Sequence, residues 1–296
     1  MIDFDRALLL RLRRASPHPK IRDLLQYATL PPGKLFRPRL LEALALDLQV
    51  SDVRAVEALG CALEFHHAYS LVHDDLPCMD NDLERRGKPA THVAFGEWQA
   101  LLGGDSLLAL SYATLEEIRH PHAGDLRRLF HWATGARGLI MGQWIDLAHE
   151  GESQAGLLVR MHELKTARLM QVATVGAYLL SPQEKTSAGL KRMLRYGASV
   201  GVGFQLLDDL DDLCASALSA HERAVNPFLQ APAQMRQRLG NELRTMSDKS
   251  YPSARRFLGE FVKKSSDQLL LKQNEWGAHV PSEREALCRL LASANG

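Results

Sequence analysis

An excess of charge of either sign is missing from this chain: its 296 residues carry 36 Lys and Arg against 35 Asp and Glu, a net charge of +1. No global field therefore recruits nucleic acid or an acidic membrane, and any anionic ligand has to be met by local charge. Long apolar runs are missing too. No stretch of about 18 uncharged apolar residues occurs, so no transmembrane helix is expected. Cysteine is scarce: Cys61, Cys78, Cys214 and Cys288 form no CxxC pair and no metal-type spacing, and are expected to be reduced thiols, mostly buried. The N-terminal stretch MIDFDRALLLRLRRASPH has only a short apolar run and no small-residue cleavage site. It does not read as a signal peptide, and a cytoplasmic protein is expected. Linkers, low-complexity runs and internal repeats are also lacking. With 46% hydrophobic residues the chain can build a large core, and a single domain over residues 1–296 is expected.

Helical spacing fills the chain nearly throughout. Residues 3–14 read as an amphipathic helix, residues 37–48 follow a break at PPGK, and 52–75 form a long apolar-rich run. Asp105 is a good N-cap for SLLALSYATLEEI. Residues 129–150, 157–180 and 191–214 carry apolar residues at spacings of three and four. No convincing run alternates with period two. The fold class is therefore all-α, a large bundle of long helices whose apolar surfaces suit burial on several sides around a cavity.

Two acidic clusters interrupt this pattern. In SLVHDDLPCMDND, Asp74, Asp75, Asp80 and Asp82 are followed by Glu84. Pro77 disfavours α conformation at Leu76, so the helix should loosen near Asp75 and bring Asp80 back on the next turn. His67, Ser70, Leu71 and Asp74 fall on one helix face. Downstream, FQLLDDLDDL places Asp208 and Asp212 one turn apart, with Asp209 beside them and Gln205 one turn before it. Two solvated acidic helix ends would account for either cluster alone. Apolar helices leading into both, and basic groups at Lys34 and Arg37, at Arg85, Arg86 and Lys88, and at Lys165 and Arg168, fit a diphosphate site instead. Oxygen ligands alone suit a hard cation, above all Mg²⁺, and Arg and Lys pair directly with phosphate.

With these motifs in this order, the sequence closely resembles the trans-isoprenyl diphosphate synthases, the polyprenyl synthetase family. The resemblance runs from about residue 30 to residue 214. It covers GKLFRP, HDDLPCMDND with RRGKP, FGEWQALLGGDSLL, GQWIDL, LKTARL and GFQLLDDLDD, including the DDxxxxD set Asp74, Asp75 and Asp80 and the DDxxD set Asp208, Asp209 and Asp212. It implies an isoprenoid-synthase-type all-α fold around a deep central cavity and a homodimer. The implied reaction joins isopentenyl diphosphate to an allylic diphosphate, with three Mg²⁺ ions clamping the allylic diphosphate between the two aspartate motifs. Ionisation, attack by the isopentenyl double bond and proton loss to the released diphosphate would follow. Asp74, Asp80 and Asp208 are the foremost candidates for direct metal ligands. Lys34, Arg37, His67 and Arg86 would hold isopentenyl diphosphate, and Arg85 and Lys165 the allylic one. The oxygens of Thr166 and Gln205 would face the cation and favour positive charge there. Gln143 and Asp146 would buttress the site, and Asp82 and Glu84 would stand behind the ligands or in solvent. Tyr69, five residues before Asp74, resembles the aromatic that stops the tail in short-chain synthases, which favours a C15 product with C20 next.

The match fails after residue 214. The family carries two lysines about 14 and 24 residues past the first aspartate of DDxxD, where this chain has Glu222 and Pro232. Arg223, four residues before Pro227, or Lys249 of DKSYP could take over, and the length remaining after Pro252 favours Lys249. A class I terpene cyclase, or a weakened paralogue that binds isoprenoid diphosphates or regulates a partner, are the competing readings. Intact Lys34, Arg37, His67 and Arg86 oppose the first; two complete aspartate motifs oppose the second.

Overall fold

A 22-residue helix, Val53–Asp74, sits at the centre of the first half of the chain, buried on nearly every side from Ala55 to Val72. The computed structural model describes residues 1–148, 155–214, 218 and 220–294. These fall into two units, residues 1–127 with 179–182, and residues 128–178 with 183–296.

In the first unit, α1 (Phe4–Arg14), α2 (Pro19–Thr29), α3 (Phe36–Asp47) and the central α4 (Val53–Asp74) precede a two-residue ribbon, β1 (Glu84–Arg85) with β2 (Lys88–Pro89). Then come α5 (Thr91–Phe95) and α6 (Glu97–Leu115). α1, α2, α3 and α6 all pack on α4. Asp52 caps α4 by accepting from the Ala55 amide at 3.0 Å. The helix ends at Asp74, as Pro77 requires. The Asp80 amide then donates to the Asp74 carbonyl at 2.8 Å, returning Asp80 to the helix end. His67, Ser70, Leu71 and Asp74 form a half-exposed stripe beside buried Ala68, Tyr69 and Val72.

α7 (Ala123–Thr134) and α10 (Arg168–Leu180) have residues in both units. The second unit contains α8 (Leu139–Leu147), α9 (Ala155–His162) and a five-residue π-helical turn, Glu163–Ala167, that runs directly into α10. It continues with α11 (Ser187–Asp212), α12 (Ala220–Val225), α13 (Pro227–Gln230), α14 (Pro232–Met246), α15 (Pro252–Leu271), α16 (Gln273–His279) and α17 (Arg284–Ser293). α11 is its spine, in contact with the π turn, α14 and α15.

Three local expectations are corrected. Asp105 is not an N-cap: it lies inside α6, which starts at Glu97 after Gly96 with φ of 107°. The pair Gly103–Gly104 does not break the helix, because a side chain there would overlap Leu24 and His73, so the glycines serve close packing. The run 129–150 is two helices, separated at Gly135–Gly138, and its last two residues lie outside the described ones. Of the four cysteines only Cys61 is buried, although all four are free. Among the described residues no helix is long and apolar enough to cross a membrane.

His66 packs edge-on to Tyr69 with ring centroids 4.6 Å apart. Burial first, and the Arg37 charge second, push its imidazole down from 6.5 to about 3. Between these values the unfolded chain binds a proton that the folded chain does not. His66 therefore contributes stability that is present above about pH 6.5 and lost as pH falls. Ring nitrogen shifts of the folded protein should show His66 neutral at about pH 5, well below the usual histidine range. His66→Phe should lose stability less steeply than the parent as pH drops through this window in urea unfolding.

Candidate functional site

The first unit gathers cationic groups around His67. The left-handed Leu35, φ 48°, turns PPGK into α3 and leaves Lys34 exposed. The ribbon turn uses Arg86 and Gly87 at φ of 56° and 73°, the paired positive values a two-residue hairpin needs. Lys88 fastens this ribbon to the end of α2, donating to the Leu30 carbonyl at 3.0 Å and also to that of Tyr27. Arg86 lies against Gly33 and donates to the Pro31 carbonyl at 3.5 Å. Burial, followed by the charges of Arg37 and Arg86, holds the His67 imidazole well below its usual range. It is neutral and still has one N–H to donate. Arg37, His67 and Arg86 are thus brought together. Beneath them lies Glu64, 2% exposed, which sequence reasoning missed. Burial raises its carboxyl while Arg37 and Arg86 lower it. Its only signal was a lone acid inside the apolar run ALGCALEFHH.

At the end of α4 the paired aspartates part company. Asp74 is half-exposed and Asp80 exposed, whereas Asp75 is 2% exposed. Arg85 donates from Nε to Asp75 Oδ1 at 2.9 Å and from Nη2 to Asp82 Oδ2 at 2.5 Å. Burial raises the Asp75 carboxyl and Arg85 pulls it back.

The second unit repeats the division. On α11, Asp208 and Asp212 are exposed, and Asp209 is buried. Gly197, Gly201, Gln205 and Asp209 share one face at four-residue spacing. Side chains on the two glycines would overlap Gln171 and Ala167, so α11 closes onto the π turn. That approach brings Gln205 to Thr166, whose hydroxyl donates to Gln205 Oε1 at 3.0 Å, while Gln205 Nε2 donates to Asp209 Oδ1 at 3.1 Å. Gly142 of α8 likewise lets the Lys165 backbone approach. Lys165 Nζ lies 2.6 Å from Asp146 Oδ2, so Asp146 buttresses the lysine. Both polar atoms of Gln143, one turn earlier on α8, are buried without a hydrogen-bond partner. Arg168 turns inward instead, 4.0 Å over the Trp132 ring and donating to Gln171 at 2.8 Å.

Among the described residues, no three Asp, Glu, His or Cys side chains converge to hold a metal ion by themselves. The outward carboxylates come in twos, Asp74 with Asp80 and Asp208 with Asp212. This donor set fits Mg²⁺, which keeps waters and takes phosphate oxygens for its remaining positions.

The downstream replacements separate cleanly, and the preference for Lys249 is overturned. Tyr251, two residues after Lys249, packs on Tyr196 at 5.2 Å and donates to Met193 Sδ at 3.3 Å. Asp208 lies twelve residues farther along α11, about 18 Å at the helical rise. The Arg223 segment is the one beside the second motif: Asn226 donates to the Asp209 carbonyl at 2.7 Å. Arg223 itself donates from Nε to the Leu218 carbonyl at 3.3 Å.

Residues 18–225 match the family model described as polyprenyl synthetase. The chain is 38% identical over 204 residues to the geranylgeranyl diphosphate synthase of Cyanophora paradoxa, 66% of either chain. It is 37% identical over 208 residues to the farnesyl diphosphate synthase of Escherichia coli K12, 68% of this chain and 69% of that one. These alignments span about two thirds of the relatives' length. An FPP/GFPP synthase from Zymomonas mobilis superposes with a TM-score of 0.74 at 31% identity, over 86% of this chain and 92% of that one. A geranyltransferase from Helicobacter pylori, complexed with magnesium and isoprenyl diphosphate, gives 0.71 at 25% identity over 89% and 98%.

Gly201→Ala should cost about 1–3 kcal/mol of stability, because its methyl meets the Ala167 backbone rather than a yielding side-chain tip. Gly259→Ala, in α15 with nothing within 4 Å of the added carbon, should instead raise stability by about 0.5–1 kcal/mol. Urea unfolding of both variants checks the pair of signs.

Proposed function

The chain belongs to the polyprenyl synthetase family, and from that premise we propose that it is a short-chain prenyltransferase. It condenses isopentenyl diphosphate with dimethylallyl or geranyl diphosphate in trans and releases diphosphate. The observation that carries this reading is the cluster of Arg37, Arg86 and neutral His67 in the first unit. A half-exposed cationic cluster two turns before the Asp74 motif suits a second diphosphate that needs no metal. A cyclase, with one diphosphate substrate, has no use for it.

Lys34, Arg37, His67 and Arg86 hold isopentenyl diphosphate in this proposal, and Arg85 and Lys165 meet the allylic diphosphate. Asp74, Asp80, Asp208 and Asp212 are the outward carboxylates that would hold Mg²⁺, three ions by the family resemblance. Bound Mg²⁺ supplies Lewis-acid withdrawal of charge from the leaving diphosphate. Asp75 and Asp209 complete the two motifs from within, Asp75 by orienting Arg85. The half-buried oxygens of Thr166 and Gln205 favour positive charge on the allyl group. The magnesium and isoprenyl diphosphate of the Helicobacter pylori geranyltransferase support this assignment. Tyr69, 8% exposed on α4, supports a C15 product with C20 next. Exposed Trp98, Leu101 and Leu102 on α6 support a homodimer. Four free cysteines suit a cytoplasmic, reducing setting.

One observation favours a second reading, an isoprenoid diphosphate binder with slow turnover. Neither family lysine survives after DDxxD; beside that motif stand Arg223, engaged with the Leu218 carbonyl, and Lys272, paired with Asp211 at 2.9 Å. Each lost charge-assisted contact would cost about 1.5–3 kcal/mol, or about ten- to hundredfold in rate.

Incubation with isopentenyl diphosphate, Mg²⁺ and C5, C10 or C15 allylic diphosphates should give a C15 diphosphate by mass. Asp74→Ala and Asp208→Ala should each abolish condensation with helical content and melting unchanged. Turnover retained in either variant contradicts the assignment. Folded wild-type protein that binds substrate without condensing it moves the weight to the slow binder.

A further inference from the structure

Asp209 stands in an acidic motif, yet its side chain faces protein. It is 5% exposed, and Oδ1 accepts from Gln205 Nε2 at 3.1 Å. Its Oδ2 lies 3.5 Å from Nδ1 of His162, the last residue of α9, itself 5% exposed. Neither of those two atoms has a hydrogen-bond partner, so each is the nearest candidate for the other. Asn226 Nδ2 donates to the Asp209 carbonyl at 2.7 Å.

This arrangement has a direction. A carboxylate oxygen facing an amide demands its N–H, so the amide of Gln205 has only one sensible orientation. Its Oε1 must then face Thr166, and the single hydroxyl proton of Thr166 is consumed in donating to it at 3.0 Å. The Thr166 oxygen is left with lone pairs alone toward the half-exposed side. Turning the Gln205 amide over would set oxygen against oxygen at Asp209. The polarity does not depend on the charge of Asp209: burial raises its carboxyl well above the usual range, but Oδ1 accepts in either form, with any proton placed on Oδ2 toward His162.

We propose that Asp209, braced by His162, is a positioning residue that sets the direction of the Thr166–Gln205 hydrogen-bond chain, so that Thr166 presents only lone pairs to the developing allylic cation. This rests on the prenyl-transfer reading. It gives the two members of the DD pair separate tasks, Asp208 outward toward metal and Asp209 inward toward polarity. An asparagine at position 209 would offer Gln205 either an oxygen or an N–H, and the direction would be lost.

A double-mutant cycle on the full chain tests it with geranyl and isopentenyl diphosphates at saturating Mg²⁺. Asp209→Asn should lower kcat about tenfold or more with KM little changed. Its affinity for inorganic diphosphate with Mg²⁺, measured by calorimetry, should stay within about twofold of wild type, and its melting temperature should be retained. Thr166→Val should lower kcat similarly, and adding Asp209→Asn to it should cost less than about threefold more. Diphosphate affinity falling tenfold or more in Asp209→Asn would make Asp209 a metal ligand and overturn the proposal. So would an unchanged kcat, or losses that multiply in the double variant. If Asp209→Asn does not fold, His162→Phe enters the same cycle: a kcat loss that vanishes in the Thr166→Val background supports the chain, and no loss or a persistent one overturns it. A wild-type chain that never condenses these substrates fails earlier, refuting prenyl transfer itself and removing the cation this proposal serves.

Discussion

Two adjacent aspartates on a helix cannot face the same way, because each residue turns the backbone by about 100°. That constraint organises both acidic motifs. Asp74 and Asp208 look outward. Asp75 and Asp209, next in sequence, are turned into the protein and need partners there, since a buried carboxylate without them is costly. Asp75 takes the Arg85 guanidinium. Asp209 takes an uncharged set, the Gln205 amide and the His162 imidazole. The same dipeptide thus fixes a cation in one unit and a neutral hydrogen-bond chain in the other.

How much of this was legible follows from which signals are local. The stripe His67, Ser70, Leu71 and Asp74 could be read directly, because helix periodicity maps sequence spacing onto one face. The end of α4 could be read from Pro77, whose effect on Leu76 is steric and nearest-neighbour. Asp105 misled because its side chain suits a cap. What keeps that helix continuous is non-local: Leu24 and His73 occupy the space a side chain would fill. The π turn at Glu163–Ala167 left no trace in spacing, since it is one extra residue in a helical turn, stabilised by what packs against it.

The glycines of α11 show the same limit from the other side. Gly197 and Gly201 each carry a cost in helix propensity. In the folded chain they are where α11 meets Gln171 and Ala167. Continuing the same face by four residues gives Gln205, then Asp209. The packing surface and the functional surface are therefore one register. A shift that relieved crowding at Gly201 would also move Gln205 from Thr166, so stability and alignment are coupled through backbone contact rather than through any charged pair.

Charge is distributed unevenly between the two acidic motifs, and this bears on the altered downstream segment. Lys34, Arg37, Arg85 and Arg86 all belong to the first unit. The second motif has Lys165, already 2.6 Å from Asp146, Arg223, engaged with a backbone carbonyl, and Lys272, paired with Asp211 at 2.9 Å. A lysine at the Lys249 position cannot redress this, because Tyr251 ties that turn to the Met193–Tyr196 part of α11. With the cations beside it already engaged, the second motif would, on the proposed function, rely on divalent metal to offset a diphosphate. Asp208 and Asp212 are oxygen donors one turn apart and exposed, and on that reading they would recruit the metal. On the proposed function, the loss of the family lysines would be felt as a stronger dependence on Mg²⁺ at the second motif, while the cationic cluster around His67 would hold the other diphosphate without metal.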